Sequence, residues 1–237
     1  MGVKLMNLMP VTADVMTPVI LQDMCKYLAP DTQVVTAQIR QGPFTIECEY
    51  DEALAAPEVL KLCRQAERDG FDGIFINCFA DPGVRAAREL VGIPVYGGFE
   101  PAAHIALGLA DAVGIVTVMP NVVPVIRGNV AKARLDRRIV TIRNVNIPVG
   151  EIADHEKLCA ALAVQCLEAI RADGAQAIVM GCTGFVGVAE RLRAELLDKG
   201  YDVPVLEAAQ CALKLLELHA AMGLRHSRLT YMVPPPK

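Results

Sequence analysis

Short runs of aliphatic and β-branched residues recur along the chain. After each run, apolar positions return every three or four residues. The first pattern belongs to strands buried on both faces and the second to helices with one apolar face. Their alternation predicts βα units built around parallel strands. Strands are expected near Val3–Leu8, Gln33–Ile39, Gly73–Asn77, Pro94–Gly97, Val113–Val118, Arg138–Arg143, Ala175–Met180 and Val203–Leu206, each followed by a helix.

The second half of this pattern repeats the first. Met9-Pro10 after the first strand returns as Met119-Pro120 after the fifth. Cys78, at the end of Gly-Ile-Phe-Ile-Asn-Cys, returns as Cys182 at the end of Ala-Ile-Val-Met-Gly-Cys. Glu100, after a Pro-Val strand, returns as Glu207 after another. The offsets of 110, 104 and 107 residues are too alike for coincidence in three unlike motifs, so the chain is read as an internal duplication. Two such halves can face each other as Rossmann-like lobes or close into one eight-stranded barrel. Either arrangement gathers ligands at the carboxyl ends of the strands, where Cys78 and Cys182 lie.

Composition narrows the function classes. With 53% hydrophobic and 21% charged residues over 237 positions, the chain can bury a large core and is not a disordered segment. A net charge of -4 without any Lys/Arg run gives no footing for nucleic acid. Asp111, Pro120 and Pro124 interrupt the most apolar region, so no membrane span is expected. Met1–Pro10 is too short an apolar run for a signal peptide. A cytoplasmic protein acting on a small molecule is the expectation. The tail from Gly223 to Lys237, ending in Pro234-Pro235-Pro236, reads as an arm onto a neighbouring subunit or as a frayed end. A homo-oligomer is expected.

The chain has eight cysteines, no CxxC pair and no secretory signal, which points to reduced thiols. Cys25, Cys63, Cys159, Cys166 and Cys211 fall on apolar helix faces, where a thiol serves as a small hydrophobe. Cys48 is uninformative. Cys78 and Cys182 differ because the repeat places both at strand ends. After Cys78, Asp81 suits an N-cap and Pro82 a first helical position, so a helix is expected to begin just beyond the thiol and to lower its pKa. Cys182-Thr183-Gly184 is expected to do the same. Such a pair can act as acid and base on opposite faces of one carbon. No phosphate loop, zinc-ligand set or nucleophile elbow is present, so no metal and no cofactor are expected. His104, His155, His219 and His226 read as ordinary helix or surface residues.

At these residues the chain resembles the Asp/Glu/hydantoin racemase superfamily, and the hydantoin racemases within it. The resemblance rests on Cys78-Phe79-Ala80-Asp81-Pro82-Gly83, Ala86-Ala87-Arg88-Glu89, Pro94-Val95, Glu100-Pro101-Ala102-Ala103 and Gly181-Cys182-Thr183-Gly184. It implies two Rossmann-like α/β lobes with parallel sheets, related by internal duplication and pseudo-two-fold symmetry, with the active site between them. Residues 1–98 and 207–237 would form the first lobe and residues 99–206 the second. It also implies cofactor-independent racemisation of a 5-substituted hydantoin or a cyclic ureide such as allantoin, with Cys78 and Cys182 catalytic.

Substrate contacts are expected from Met9, Pro10 and Thr12, from Phe79, Ala80 and Asp81, from Thr183, Gly184 and Phe185, and from Met119 and Glu207. The family's Asn-Pro-Asn-Thr after the first strand reads Met9-Pro10-Val11-Thr12 here, exchanging two polar groups for apolar ones. Aspartate or glutamate racemisation and dicarboxylate cis/trans isomerisation are alternative activities. A non-catalytic metabolite-binding module is the alternative outside enzymes.

Overall fold

The structure, a computed structural model, describes residues 2–236. Met1 and Lys237, the outer ends of the segments expected to form the first lobe, lie outside the described residues. All eight expected strands are present: β1 Lys4–Met9, β2 Gln33–Gln38, β3 Gly73–Ile76, β4 Val95–Tyr96, β5 Val113–Thr117, β6 Ile139–Asn144, β7 Ala177–Met180 and β8 Val205–Glu207. A helix follows each in turn: α1 Pro18–Cys25, α2 Glu49–Arg68, α3 Val84–Leu90, α4 Phe99–Leu107, α5 Val122–Lys132, α6 His155–Arg171, α7 Ala189–Asp198 and α8 Ala208–Ala221.

The strands make two four-stranded parallel sheets rather than one barrel, ordered β2-β1-β3-β4 and β6-β5-β7-β8. The identical order expresses the duplication in three dimensions. The central strands carry the signature of burial on both faces: β3, β5 and β7 have every residue buried. Gly114 in β5 is required by packing, since a Cβ there would sit 3.0 Å from the Ala175 side chain.

The two last helices of the halves exchange sheets. α4 follows the first sheet, yet Phe99, Ala102, Ala103 and Ala106 are buried in the core of the second with Val116 and Val179. α8 follows the second sheet, yet Ala209, Ala212, Leu213 and Leu216 pack on Leu5 and Phe75 of the first. α4 and α8 also pack on each other. Small residues on both helices let them lie close to the sheets.

Residues 226–231 of the C-terminal segment are not a frayed end, because they bond to the first half of the same chain. His226 Nε2 accepts the Val95 N–H at 2.9 Å, and Arg228 donates to the Arg88 carbonyl at 2.9 Å, near the end of α3. The Tyr231 hydroxyl accepts from Arg88 Nη1 at 2.9 Å. Among the described residues, no helix is long and apolar enough to cross a membrane.

If α8 is a structural part of the first sheet's core, Leu213→Ala should destabilise the protein by about 2–5 kcal/mol. Leu218→Ala, on the exposed face of the same helix, should stay within about 0.5 kcal/mol of wild type. Urea denaturation midpoints compare the two, and equal shifts would contradict this packing.

Candidate active site

Each of the two repeat-related thiols stands two residues beyond the end of a central strand, Cys78 after β3 and Cys182 after β7. A polar pair between the two middle strands braces each exit. Asn77 Nδ2 donates to Asn7 Oδ1 at 3.0 Å, and Asn7 Nδ2 donates to Thr36 Oγ1 at 3.2 Å. At the repeat-related position the Thr117 hydroxyl donates to the Gly181 carbonyl at 2.7 Å. Asn7, Asn77 and Thr117 are all buried. Breaking such bonds leaves a buried polar group without a partner, which is costly, so the strand ends are held firmly.

The facing loops enclose a cavity of about 360 Å³ lined by both Cys78 and Cys182, a size within the range of small-ligand sites. Its walls are mainly apolar, with Val11, Met16, Ile20 and Ile46 on one side and Val118, Val122, Val149 and Ile152 on the other. Polar groups are few: Asp14, Thr17, Asn77, His155 and Thr183 contribute, and no Lys or Arg lines it among the described residues.

Bonds between the halves keep the walls together. Asn129 Nδ2 on α5 donates to the Ala80 carbonyl at 2.7 Å, and the Val149 N–H donates to Glu47 Oε1 at 2.8 Å. Gly98 permits their close approach, since a Cβ there would fall 2.8 Å from Thr183 Cγ2 and 3.1 Å from Phe79 Cα.

The electrostatics reverse the expected direction of the thiol shifts. Burial pushes Cys78 far up, against a single opposing bond from the Ala80 N–H. Burial pushes Cys182 up to about 11, although the Gly184 and Phe185 N–H groups favour its thiolate. The expected helix termini are too distant to compensate. α3 starts at Val84 and α7 at Ala189, each more than one turn of chain beyond its thiol, and the field of a helix end fades within a turn. Both groups are therefore held as neutral thiols near pH 7. A thiolate formed there is a strong base, suited to a weakly acidic C–H.

The Asp/Glu/Hydantoin racemase family model matches residues 3–216. The chain belongs to that family. A hydantoin racemase from Pseudomonas sp. (strain NS671) is 33% identical over 209 residues, which is 87% of this chain and 82% of the relative. One from Paenarthrobacter aurescens is 32% identical over 99% of this chain and 98% of its own length. Among solved structures, an allantoin racemase from Klebsiella pneumoniae superimposes with a TM-score of 0.91 at 33% identity, covering 100% of this chain and 95% of that one. The maleate isomerase of Pseudomonas putida S16, with a TM-score of 0.64 at 16% identity over 94% of each chain, shares the fold.

Within this family fold, Met9, Phe79, Ala80, Thr183 and Gly184, five of the expected substrate contacts, line the cavity with the two thiols. Six other expected contacts lie elsewhere. Pro10 is buried beneath its loop, and Thr12 turns away to bond the Pro43 carbonyl through its N–H at 2.9 Å and its hydroxyl at 3.2 Å. Met119 packs against the second core, its place at the wall being taken by Val118. Phe185 is buried in that same core. Asp81 does not cap α3. It adopts φ 62°, Gly83 takes the N-cap position, and Asp81 Oδ1 accepts the Phe99 N–H of α4 at 3.1 Å. Glu207 is buried at the start of α8, with Oε1 accepting the Ala189 N–H at 2.9 Å.

Sequence reasoning missed Asn77, Asp14, Thr17 and His155. Asn77 had a readable signal, a polar residue closing an apolar strand directly before Cys78. The others stand on irregular segments or at helix starts, which no local pattern aims at the cavity.

Since Cys182 titrates near pH 11, its thiolate fraction should grow about tenfold per pH unit between pH 7 and 10. Iodoacetamide labelling, read by peptide mass spectrometry, should follow that slope. A plateau below pH 9 would refute the burial argument.

Proposed function

We propose that this chain is a cofactor-independent racemase that inverts the α-carbon of a 5-substituted hydantoin, or of a related cyclic ureide such as allantoin. Cys78 and Cys182 would be the acid/base pair. The observation that carries this reading is the opening of two thiols, from repeat-related loops of two facing halves, into one cavity. The relatives named hydantoin racemase and allantoin racemase support the same class.

In the proposed step one thiolate removes the α-proton, and the electron pair of the C–H bond delocalises into the adjacent ring carbonyl. The opposite thiol then gives its proton to the other face, leaving the inverted carbon and a thiolate where the thiol had been. The Thr183 hydroxyl and backbone N–H groups of the two thiol loops are the donors nearest to hand for the enolate oxygen. The mainly apolar walls serve this chemistry by keeping water from the carbanion.

The lining favours a neutral ring over a dianion. A dicarboxylate substrate for isomerisation, or free aspartate or glutamate, would need cationic partners. The described lining offers no Lys or Arg and includes Asp14. Met9 and Val11, standing where the family carries Asn side chains, would meet an apolar part of the substrate. In this reading residues 1–98 with 207–237 form one lobe and residues 99–206 the other, with the substrate between them.

Each thiol can be tested alone. Cys78→Ser and Cys182→Ser should each lower net inversion by about 10²–10⁴-fold, with the fold intact by circular dichroism. In deuterated water each variant should still exchange the α-proton of one enantiomer with retention, and the two variants should serve opposite enantiomers. Wild-type activity should survive EDTA. Near-wild-type inversion by either variant would sink the two-thiol assignment.

A further inference from the structure

Two carboxyl groups near the thiols, Asp81 half-buried and Glu207 buried, lie outside the thiol cavity. Both were expected to contact substrate, and neither lines that cavity. Asp81 lies three residues after Cys78. Its Oδ1 accepts the N–H of Phe99, the first residue of α4, at 3.1 Å. The Cys78 carbonyl accepts the N–H of Gly98 at 3.0 Å, so the thiol loop is tied twice to the start of the same helix. Asp81 holds the left-handed conformation, φ 62°, that turns its side chain there. A Cβ on Gly97 would fall 2.0 Å from that same oxygen, so glycine is required opposite it. A non-glycine residue in this conformation is strained, and it persists only where the surroundings enforce it.

Glu207 makes the reciprocal connection. It ends β8 and precedes α8, and its Oε1 accepts the N–H of Ala189 at 2.9 Å. Ala189 opens α7 and so closes the loop that runs from Cys182. Inside that loop the Phe185 N–H donates to the Cys182 carbonyl at 3.1 Å. α4 and α8 are the helices that cross between the sheets. Each thiol loop is thus fastened to the point where the chain crosses, by one carboxyl oxygen in each half. Burial raises both carboxyl groups above their usual range, Asp81 to about 7. What the geometry shows at each site is one carboxyl oxygen accepting a backbone N–H.

We propose that Asp81 and Glu207 are positioning residues, each aligning the thiol of its own loop, Asp81 for Cys78 and Glu207 for Cys182. The assignment of catalysis to the thiols comes from the function proposed above. The fastening of each loop stands on its own geometry. A misplacement of about 1 Å can cost on the order of 10²-fold in rate, so the loss of one pin should register at one thiol only.

The test compares Asp81→Ala, Asp81→Asn, Glu207→Ala and Glu207→Gln for the iodoacetamide labelling rate of each thiol. The same substitutions are then placed in the Cys78→Ser and Cys182→Ser backgrounds, where retained-configuration deuterium exchange of 5-benzylhydantoin reads one thiol at a time. Glu207→Ala should change Cys182 labelling several-fold and lower Cys182-dependent exchange about tenfold or more, leaving Cys78 within about twofold. Asp81→Ala should do the reverse. The Asn and Gln variants, which keep an acceptor, should restore both readouts.

Equal effects on both thiols, or none, would overturn the proposal, since a merely structural residue does not choose between them. Loss of function in the Gln or Asn variant would overturn it as well. If an Ala variant does not fold, the other residue's series and the conservative variants decide. Selective labelling without any hydantoin exchange would leave the positioning intact and count against the racemase reading alone.

Discussion

Neither sheet can bury both of its faces with helices from its own half of the chain. β4 hands its following helix to the second sheet, β8 hands its own to the first, and α4 and α8 then lie against each other. This exchange governs the rest of the structure. Pulling the halves apart would strip Leu213 and Leu216 from one core and Ala102 and Ala106 from the other, exposing apolar surface at a cost of about 25 cal/mol per Å². The cavity walls are therefore held by the cores themselves, and the few polar bonds across the cleft need only set its fine geometry.

That rigidity has an electrostatic consequence. The cleft is walled by two cores, and burial there is the largest influence on both thiols. The N–H groups of the loops reduce the shift without removing it. Cys182 receives two of them and Cys78 one, so the halves are chemically unequal despite their common origin. The inequality extends behind the site. Glu100 pairs with Arg88 at 2.6 Å, whereas its repeat partner Glu207 makes no such ion pair among the described residues; its Oε1 accepts a backbone N–H and its Oε2 is buried without a hydrogen-bond partner.

The sheets were legible because a strand buried on both faces must be apolar throughout, and β3, β5 and β7 could be read directly. The duplication was legible because three unlike landmarks recurred at similar offsets of 110, 104 and 107 residues. The thiols followed from those two facts together. What could not be read was which residues of a loop look inward. Met119 and Val118 are equally apolar, yet Val118 lines the cavity and Met119 packs on the second core. Asp81-Pro82 carries a local capping signal, yet the loop takes it up through a positive φ and a long-range bond to Phe99. The tertiary partner, eighteen residues away, outweighs the local preference. The thiol shifts failed for the same reason, because sequence showed a helix nearby but not its distance.

On the proposed two-thiol reading, a racemase that runs in both directions at equilibrium has its two thiols exchange roles at every turnover. Duplication supplies two matched positions on opposite walls, but not matched acidities. In the free protein the lower of the two, Cys182, holds the larger thiolate fraction. The enantiomer whose proton faces Cys182 would then meet a ready base more often. Equality of the overall reaction does not require equality of these fractions, because the less populated thiolate is also the stronger base. On the Brønsted relation a rarer base reacts faster once formed, and the two effects partly cancel. On that reading the differences between the halves, one N–H more at Cys182 and an ion pair behind only one loop, are tolerable in a site that would serve both enantiomers.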